Sequence, residues 1–405
     1  MFIKREQYLA KLRQLKDKNL IKVITGIRRS GKSTIFELFQ NELRNSGISQ
    51  DRIQSLNFES VELASESYQS IYAKITSSLV ADQTNYIFLD EIQMLPEFER
   101  LIDGLFILKN VDLYVTGSNA YLLSGELATL LTGRYFPIHV LPLSFAEYSE
   151  FFAGNDNAKL FARYLSSTTF PEALNLSADA PELVSEYVET VYQNIVSKDI
   201  FVRYDVRDDA NFERVFRFIL GNIGSFVSTK SIADALNVGK KATETTTSHN
   251  TVARYLGYFV ESYLLYKADR YDIKGKELLK TQDKYYVVDL GLRLALLGEQ
   301  KDVDLGHKLE NIVYLELVRR YGTSIYVGKH KDQEVDFVVN LQEGGRLYFQ
   351  VAWTVHDSQT LKRELKPLES IKDNYQKFVI TTDPDNSLYE GIQKLNVVDW
   401  LLSSK

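Results

Sequence analysis

The 405-residue sequence has no cysteine. That absence excludes disulfides, thiolate zinc sites, iron–sulfur clusters and a cysteine nucleophile, and it fits a reducing cytoplasm. Histidine is scarce: there are five, scattered, with no H-x-x-x-H or H-x-H pair to build a zinc site. No G-x-S-x-G elbow is present, so a serine hydrolase has no support. No apolar run approaches the roughly 20 residues needed to cross a bilayer, and no membrane span is expected. The opening MFIKREQYLAKLRQLKDK is charged where a signal peptide needs an apolar core, so the expected location is the cytoplasm. An excess of positive charge is also missing. Lys and Arg number 48 against 54 Asp and Glu, a net charge of −6. This argues against a chain coated with nucleic acid and leaves room for one local basic surface.

What remains is the composition of an ordinary globular protein, 44% hydrophobic and 25% charged. At about 100–200 residues per domain, the length implies two to four domains. No fixed-period repeat interrupts that picture. The 25 tyrosines and 22 phenylalanines lie mostly on apolar faces such as YLGYFVESYLLY, which reads as core rather than as base-stacking platforms.

Four pieces follow along the chain. Over residues 1–144, β-rich runs alternate with helical ones: strands at 21–25, 53–59, 86–91, 112–118 and 139–144, and a helix from Lys32 to about Asn45. Such alternation predicts an α/β core with a mostly parallel sheet. Residues 145–207 read as helices punctuated by Pro171 and Pro181, a helical lid or connector. Residues 208–295 read as three helices and two strands, YKADRYD and DKYYVVD, the order of a winged helix. Residues 296–405 read as a small α/β domain with its own sheet.

The strongest chemical signal is Gly26-Ile27-Arg28-Arg29-Ser30-Gly31-Lys32-Ser33, which fits G-x-x-x-x-G-K-[ST] between a predicted strand and a predicted helix. Glycines let the backbone turn its N–H groups around phosphates, and the helix N-terminus adds partial positive charge. Lys32 is expected on the β- and γ-phosphates of ATP, and Ser33 on Mg2+. Thr34, next on the helix, completes the set expected around the nucleotide. Tyr86-Ile87-Phe88-Leu89-Asp90-Glu91 is an apolar strand ending in two carboxylates. Asp90 is placed to hold magnesium and Glu91 to polarise the attacking water; the alternative is that the pair caps the next helix. Thr116-Gly117-Ser118-Asn119 ends another strand. There Ser118 or Asn119 could bond the γ-phosphate or the water, or cap a helix over AYLLSGELATLL, and both roles can coexist. Arg134 could stabilise transition-state charge in its own site or in a neighbour's, while Arg28 and Arg29 could face a partner or a substrate.

GIRRSGKST, YIFLDEIQ, TGSNAYLLSG, LTGRYFPIHVLPLSFAEY and FPEAL together resemble the AAA+-type ATPases widespread in bacteria and archaea. The resemblance spans nearly the whole chain and is most specific over residues 21–150. It implies an ATPase core with a helical extension, a winged helix, and a last domain similar to the PD-(D/E)xK nuclease fold. By that resemblance the phosphate-loop, magnesium and sensor roles fall on Gly26 to Ser33, on Asp90 and Glu91, and on Ser118 and Asn119.

In the winged-helix stretch, Ser248, Asn250, Thr251 and Arg254 could reach double-stranded DNA. Residues 206–275 carry ten Lys and Arg against eight Asp and Glu, a balance of only +2, so a winged helix used for protein contact or for packing is the competing reading, and the chain as a whole could pair with a protein partner or a second copy. In the last domain, Glu310, Asp336 and Gln350-Val351-Ala352 follow the nuclease order, with Gln350 and Ala352 replacing the expected acid and lysine. Lys329 or Lys331 is a candidate replacement cation, and no nuclease activity is expected. The function expected overall is magnesium-dependent ATP hydrolysis. The alternatives are a slow nucleotide-gated switch and an ATP-dependent DNA-processing nuclease.

Overall fold

Ile21–Thr25 (β1) is a run of β-favouring residues buried at every position, as a strand covered on both faces must be. In the computed structural model, which describes residues 3–120, 133–239, 246–298 and 305–403, it is interior to a five-stranded sheet. Its companions are Ile53–Asn57 (β2), Asn85–Asp90 (β3), Val111–Gly117 (β4) and Tyr135–His139 (β5). The order is β2-β3-β4-β1-β5, and every pairing is parallel. Helices cover both faces. Tyr68–Ser77 and Phe98–Phe106 pack with Ile87, Leu89, Leu113 and Val115. Glu6–Leu15 and Lys32–Asn45 pack on Phe88 and Tyr114, whose rings stack at 4.7 Å. A parallel sheet of this kind binds ligands beyond the C-terminal ends of its strands.

The fifth strand differs from expectation. It is Tyr135–His139 rather than 139–144, and Pro137 sits inside it. Proline cannot donate to a ladder and is tolerated where one side of the strand is unpaired; β5 is such an edge. The helix expected over AYLLSGELATLL, at 120–131, lies outside the described residues from position 121 onward.

By its internal packing the chain forms two compact units, residues 1–142 with 261–263, and residues 143–260 with 264–405. Within the first, the ring of Tyr263 lies 4.5 Å from that of His139, at the end of β5.

The second unit opens with Phe145–Phe151, whose start is fixed by a reciprocal Ser144–Glu147 capping box. Further helices follow at Asn157–Tyr164, Pro171–Asp179 and Val184–Asn194, and a π-helical stretch at Ile195–Phe201. Pro171 stands in the first turn, where its missing N–H costs nothing. The loop before it is locked by buried Asp289, which accepts from the N–H and hydroxyl of Thr169, both at 2.6 Å. Gly291 permits this approach: a Cβ there would stand 2.4 Å from the Thr168 backbone.

Helices Asp209–Gly221, Thr229–Asn237 and His249–Glu261 are followed by Leu265–Asp272 (β6) and Glu277–Val287 (β7). The remaining strands are Ile325–His330 (β8), Gln333–Asn340 (β9), Arg346–Val351 (β10), Gln376–Thr381 (β11), Ser387–Tyr389 (β12) and Ile392–Asn396 (β13). The last piece does not keep a sheet to itself. β6 pairs in parallel with β8, so the ribbon joins one eight-stranded sheet of order β12-β13-β11-β10-β9-β8-β6-β7. A strand's pattern reports which face is buried, not which neighbour it pairs with, and this is why the sequence hides the junction.

Candidate functional site

The chain leaves β1 through Gly26, at φ 150°, where a Cβ would stand 2.1 Å from the carbonyl oxygen of Val140. No other residue fits there. Gly31, at φ 93°, is the N-cap of the helix Lys32–Asn45. Arg29 also has a left-handed backbone, at φ 68°, a conformation costing a non-glycine residue about 1 kcal/mol. The helix N-terminus carries no side-chain cap and no acid in its first turn. Its amide groups are left for another acceptor, the usual condition of an anion site.

Lys32 is buried. Its Nζ donates to the carbonyls of Gly26 at 3.1 Å and Ile27 at 3.3 Å, and lies 3.4 Å from Oε1 of Glu91. The loop, the helix and the end of β3 thus meet at one ammonium group.

Asp90 and Glu91 face different surroundings although adjacent in sequence. The hydroxyl of Thr116 donates to Oδ1 of Asp90 at 2.5 Å, Asn57 donates to Oδ2 at 3.3 Å, and the Ser33 hydroxyl bonds the same carboxyl. Burial pushes Asp90 above the usual carboxylate range, and the Thr116 and Ser33 donors only partly offset it. Glu91 has a left-handed backbone at φ 51°, and its N–H donates to Oγ1 of Thr116 at 2.9 Å. Burial also pushes Glu91 up, but Lys32, the Gln93 amide and Arg28 together outweigh it and hold its carboxyl below the usual range. Glu91 is therefore ionised near neutrality.

Gln93 joins the remaining pieces. Its Nε2 donates to Oε2 of Glu91 at 2.6 Å and to Oγ of Ser118 at 3.2 Å, while its own Oε1 is buried without a hydrogen-bond partner. Ser118 and Asn119 are both buried at the end of β4. The structure thus brings together Gly26, Ile27, Ser30, Gly31, Lys32, Ser33, Asp90, Glu91 and Ser118. Arg28, whose charge also acts on Glu91, pairs with Glu59 at 2.5 Å, and Arg29 is exposed. Thr34 is half-buried on the first turn of the helix.

Arg134 lies apart from these residues. It immediately precedes β5, its carbonyl accepts from the N–H of Ile21 at the start of β1, and its side chain pairs with Asp103 at 3.0 Å. The phosphate loop follows the other end of β1, five residues along, or about 16 Å at a strand's rise.

Sequence reasoning assigned no role to Thr116, Asn57, Gln93 or Arg5. The first three were within reach of it, since each stands at or just beyond the C-terminal end of a predicted strand, where a parallel sheet gathers its chemistry. Arg5 gave no local signal.

In the second unit, Ser248 accepts from the N–H of Thr251 at 3.1 Å and caps the helix His249–Glu261, whereas Asn250 and Arg254 are exposed. Glu310 accepts from Lys284 at 2.9 Å and from the Tyr286 hydroxyl at 2.7 Å, and Lys284 also pairs with Glu334 at 2.6 Å. The cation among these acids is therefore Lys284, from β7, rather than Lys329 or Lys331. Oδ2 of Asp336 accepts from the N–H of Val351 at 2.7 Å, and burial, with Glu310 next, pushes this carboxyl well above its ordinary range. Gln350 donates to Glu364 at 3.1 Å, and its Oε1 is buried without a partner. Among the described residues, no group of three or more His, Asp and Glu is arranged to hold a metal ion, and no helix is long and apolar enough to cross a membrane.

Residues 18–149 match the model of the AAA domain, and residues 158–303 match that of a domain of unknown function. The first unit is accordingly an AAA domain built around a phosphate loop on a parallel sheet. An uncharacterized protein of Haemophilus influenzae is 39% identical over 99% of this chain and 98% of its own length, and the chain belongs to the same family as that protein. An uncharacterized protein of Methanocaldococcus jannaschii is 29% identical over 94% of this chain and 85% of its own. Among solved structures, Aeropyrum pernix ORC1 in complex with DNA aligns over 73% of this chain and 92% of its own, at 13% identity and a TM-score of 0.30. AMPPCP-bound DnaA from Aquifex aeolicus aligns over 64% and 87%, at 11% identity and a TM-score of 0.32. Likenesses this slight carry no functional weight.

Proposed function

We propose that the AAA domain binds magnesium–ATP and hydrolyses it slowly. The observation that carries this reading is the uncapped helix N-terminus behind Gly31, with Lys32 beside it and an ionised Glu91 3.4 Å from the Lys32 ammonium. The loop amides and Lys32 would hold the β- and γ-phosphates. Ser33 and Asp90, already bonded to each other, offer hard oxygen donors of the kind magnesium prefers. Bound there, the ion would neutralise phosphate charge. Glu91 would accept a proton from a water at its carboxylate, with Gln93 fixing the orientation of that group. Ser118, and Asn119 behind it, would line the water's side of the site.

The Lys32–Glu91 pair favours slow turnover, because the same ammonium must leave the base before it can serve a phosphate. A nucleotide-gated switch that holds ATP until a partner arrives is therefore the second reading. For the second unit we propose a winged helix that meets its partner through the exposed Asn250 and Arg254. Double-stranded DNA is the partner whose binding would weaken steeply with salt and fail in Arg254→Ala. We further propose that the nuclease-like acids do not cut nucleic acid, since Lys284 already pairs with both Glu310 and Glu334.

The test is calorimetric titration of the full chain with ATP and GTP in magnesium buffer, followed by phosphate release with and without DNA. Saturable ATP binding with slow release is expected. No heat with either nucleotide at millimolar concentration would overturn the reading. Fast turnover without a partner would remove the switch.

A further inference from the structure

A phosphate loop that turns its amides toward an anion must have its carbonyls satisfied from behind. At Ser30 that service comes from a residue 25 positions earlier. Nη1 of Arg5 donates to the Ser30 carbonyl at 2.8 Å, and Nη2 donates to the carbonyl of Leu141 at 2.6 Å. The guanidinium is 3% exposed and lies 4.9 Å from the ring centroid of Tyr8. The Tyr8 hydroxyl in turn accepts from the N–H of Leu141 at 3.2 Å. Leu141 follows Val140, whose carbonyl oxygen limits Gly26 to glycine, so one fork grips the loop and the segment beneath its first glycine.

The arrangement costs free energy. Arg5 has a left-handed backbone, at φ 52° and ψ 41°, and begins the helix Glu6–Leu15 without a side-chain cap. A guanidinium taken out of water adds to that cost. Packing alone does not call for a charged fork here, because an apolar side chain could fill the same space on Tyr8 without desolvating a cation.

We propose that Arg5 is a positioning residue of the nucleotide site. It ties Ser30 to Leu141 so that the loop is shaped before ligand arrives, and it places a fixed positive charge directly behind the loop. A preformed, electropositive cradle raises affinity in the ground state, most for the ligand with the most negative charge. This inference rests on the reading of residues 26–33 as a triphosphate site.

The experiment compares the wild type, Arg5→Gln and Arg5→Lys as full chains. It measures ATP and ADP affinity by calorimetry, KM and kcat by phosphate release, and folding by circular dichroism. Arg5→Gln is expected to bind ATP about tenfold more weakly, with a smaller loss for ADP and a raised KM at nearly constant kcat. Arg5→Lys, which keeps the charge and loses the fork, falls in between. Millimolar guanidinium ion restores part of the Arg5→Gln loss and leaves the wild type unchanged. Wild-type ATP affinity in Arg5→Gln, equal losses for ATP and ADP, or a fall in kcat at unchanged KM would overturn the proposal. If Arg5→Gln does not fold, wild-type ATP affinity in folded Arg5→Lys does the same. Absence of ATP binding in the wild type would instead sink the underlying reading of the loop.

Discussion

In the first unit, Asp90 and Glu91 end a buried strand within reach of a lysine that belongs to a glycine-rich loop. In the second, Glu310 on the helix Leu305–Tyr321 and Glu334 on β9 share a lysine, Lys284, from β7 of the same eight-stranded sheet as β9. Both clusters set acids around one buried cation, and of the four acids only Glu334 is half-exposed. The difference lies in what else the cation can reach. Lys32 stands at an uncapped helix terminus, where an anion can take over its charge. Lys284 is fully engaged by acids: burial lowers its affinity for a proton, but Glu310, Asp336 and Glu334 more than reverse this and keep it charged. One arrangement is open to a ligand and the other is closed on itself.

The largest expected effect breaks the open cluster. Lys32→Ala removes the ammonium that joins the loop carbonyls to Glu91, and ATP affinity should fall by about 1,000-fold, beyond detection by calorimetry at micromolar protein. Retained binding would mean that the loop amides suffice. Glu91→Gln should leave ATP affinity within a few-fold and lower kcat by about 1,000-fold, read as phosphate release at saturating ATP. Wild-type turnover in that variant would take the proton-accepting role away from Glu91.

How much of the site was legible in the sequence depends on the range of its interactions. Gly26 to Ser33 is a local pattern, and its strand, loop and helix lie where their residue types require. Asp90 and Glu91 were legible because a buried strand in an α/β core seldom ends in two adjacent acids unless a cation or a ligand meets them there. β5 was misplaced because Pro137 argues against a strand until its edge position is known. Arg5 and Lys284 were missed for a different reason. Arg5 meets Leu141 across 136 positions, and Lys284 on β7 meets Glu310 on the helix Leu305–Tyr321 across 26, a strand-to-helix contact that no local periodicity encodes. Arg134, by contrast, was singled out as a cation that could stabilise transition-state charge, and it lies at the opposite end of β1 from the phosphate loop.

The closed cluster is sharpened by removing its cation. Lys284→Met leaves Glu310 and Glu334 without their charge partner, and breaking a buried pair from one side costs about 3 kcal/mol. Urea unfolding of the full chain, followed by a probe in the second unit, should show that loss with ATP affinity unchanged. An unchanged midpoint would mean that water already replaces the pair.

The smallest effect tests the contrast by its sign. Glu91 is held below its ordinary value of 4.5, so its contribution to stability is present above that value and is lost as pH falls through the depressed one. Asp336 is held well above its ordinary value of 3.8, so its contribution is complete below 3.8 and is lost as pH rises through the raised value. Asp336→Asn keeps an oxygen for the Val351 N–H and cannot ionise. Below pH 3.8, where the carboxyl is protonated whether the chain is folded or not, it should change stability by less than about 1 kcal/mol, because it exchanges one neutral-acceptor hydrogen bond for another. The comparison across pH carries more weight than that single value. From mildly acidic to mildly alkaline buffer the wild type should lose stability relative to Asp336→Asn, while Glu91→Gln should lose its own disadvantage only on the acid side. A wild type that gains on Asp336→Asn as pH rises would show that Asp336 is an ionised partner of Lys284, and the second cluster would then have to be redrawn as an open site like the first.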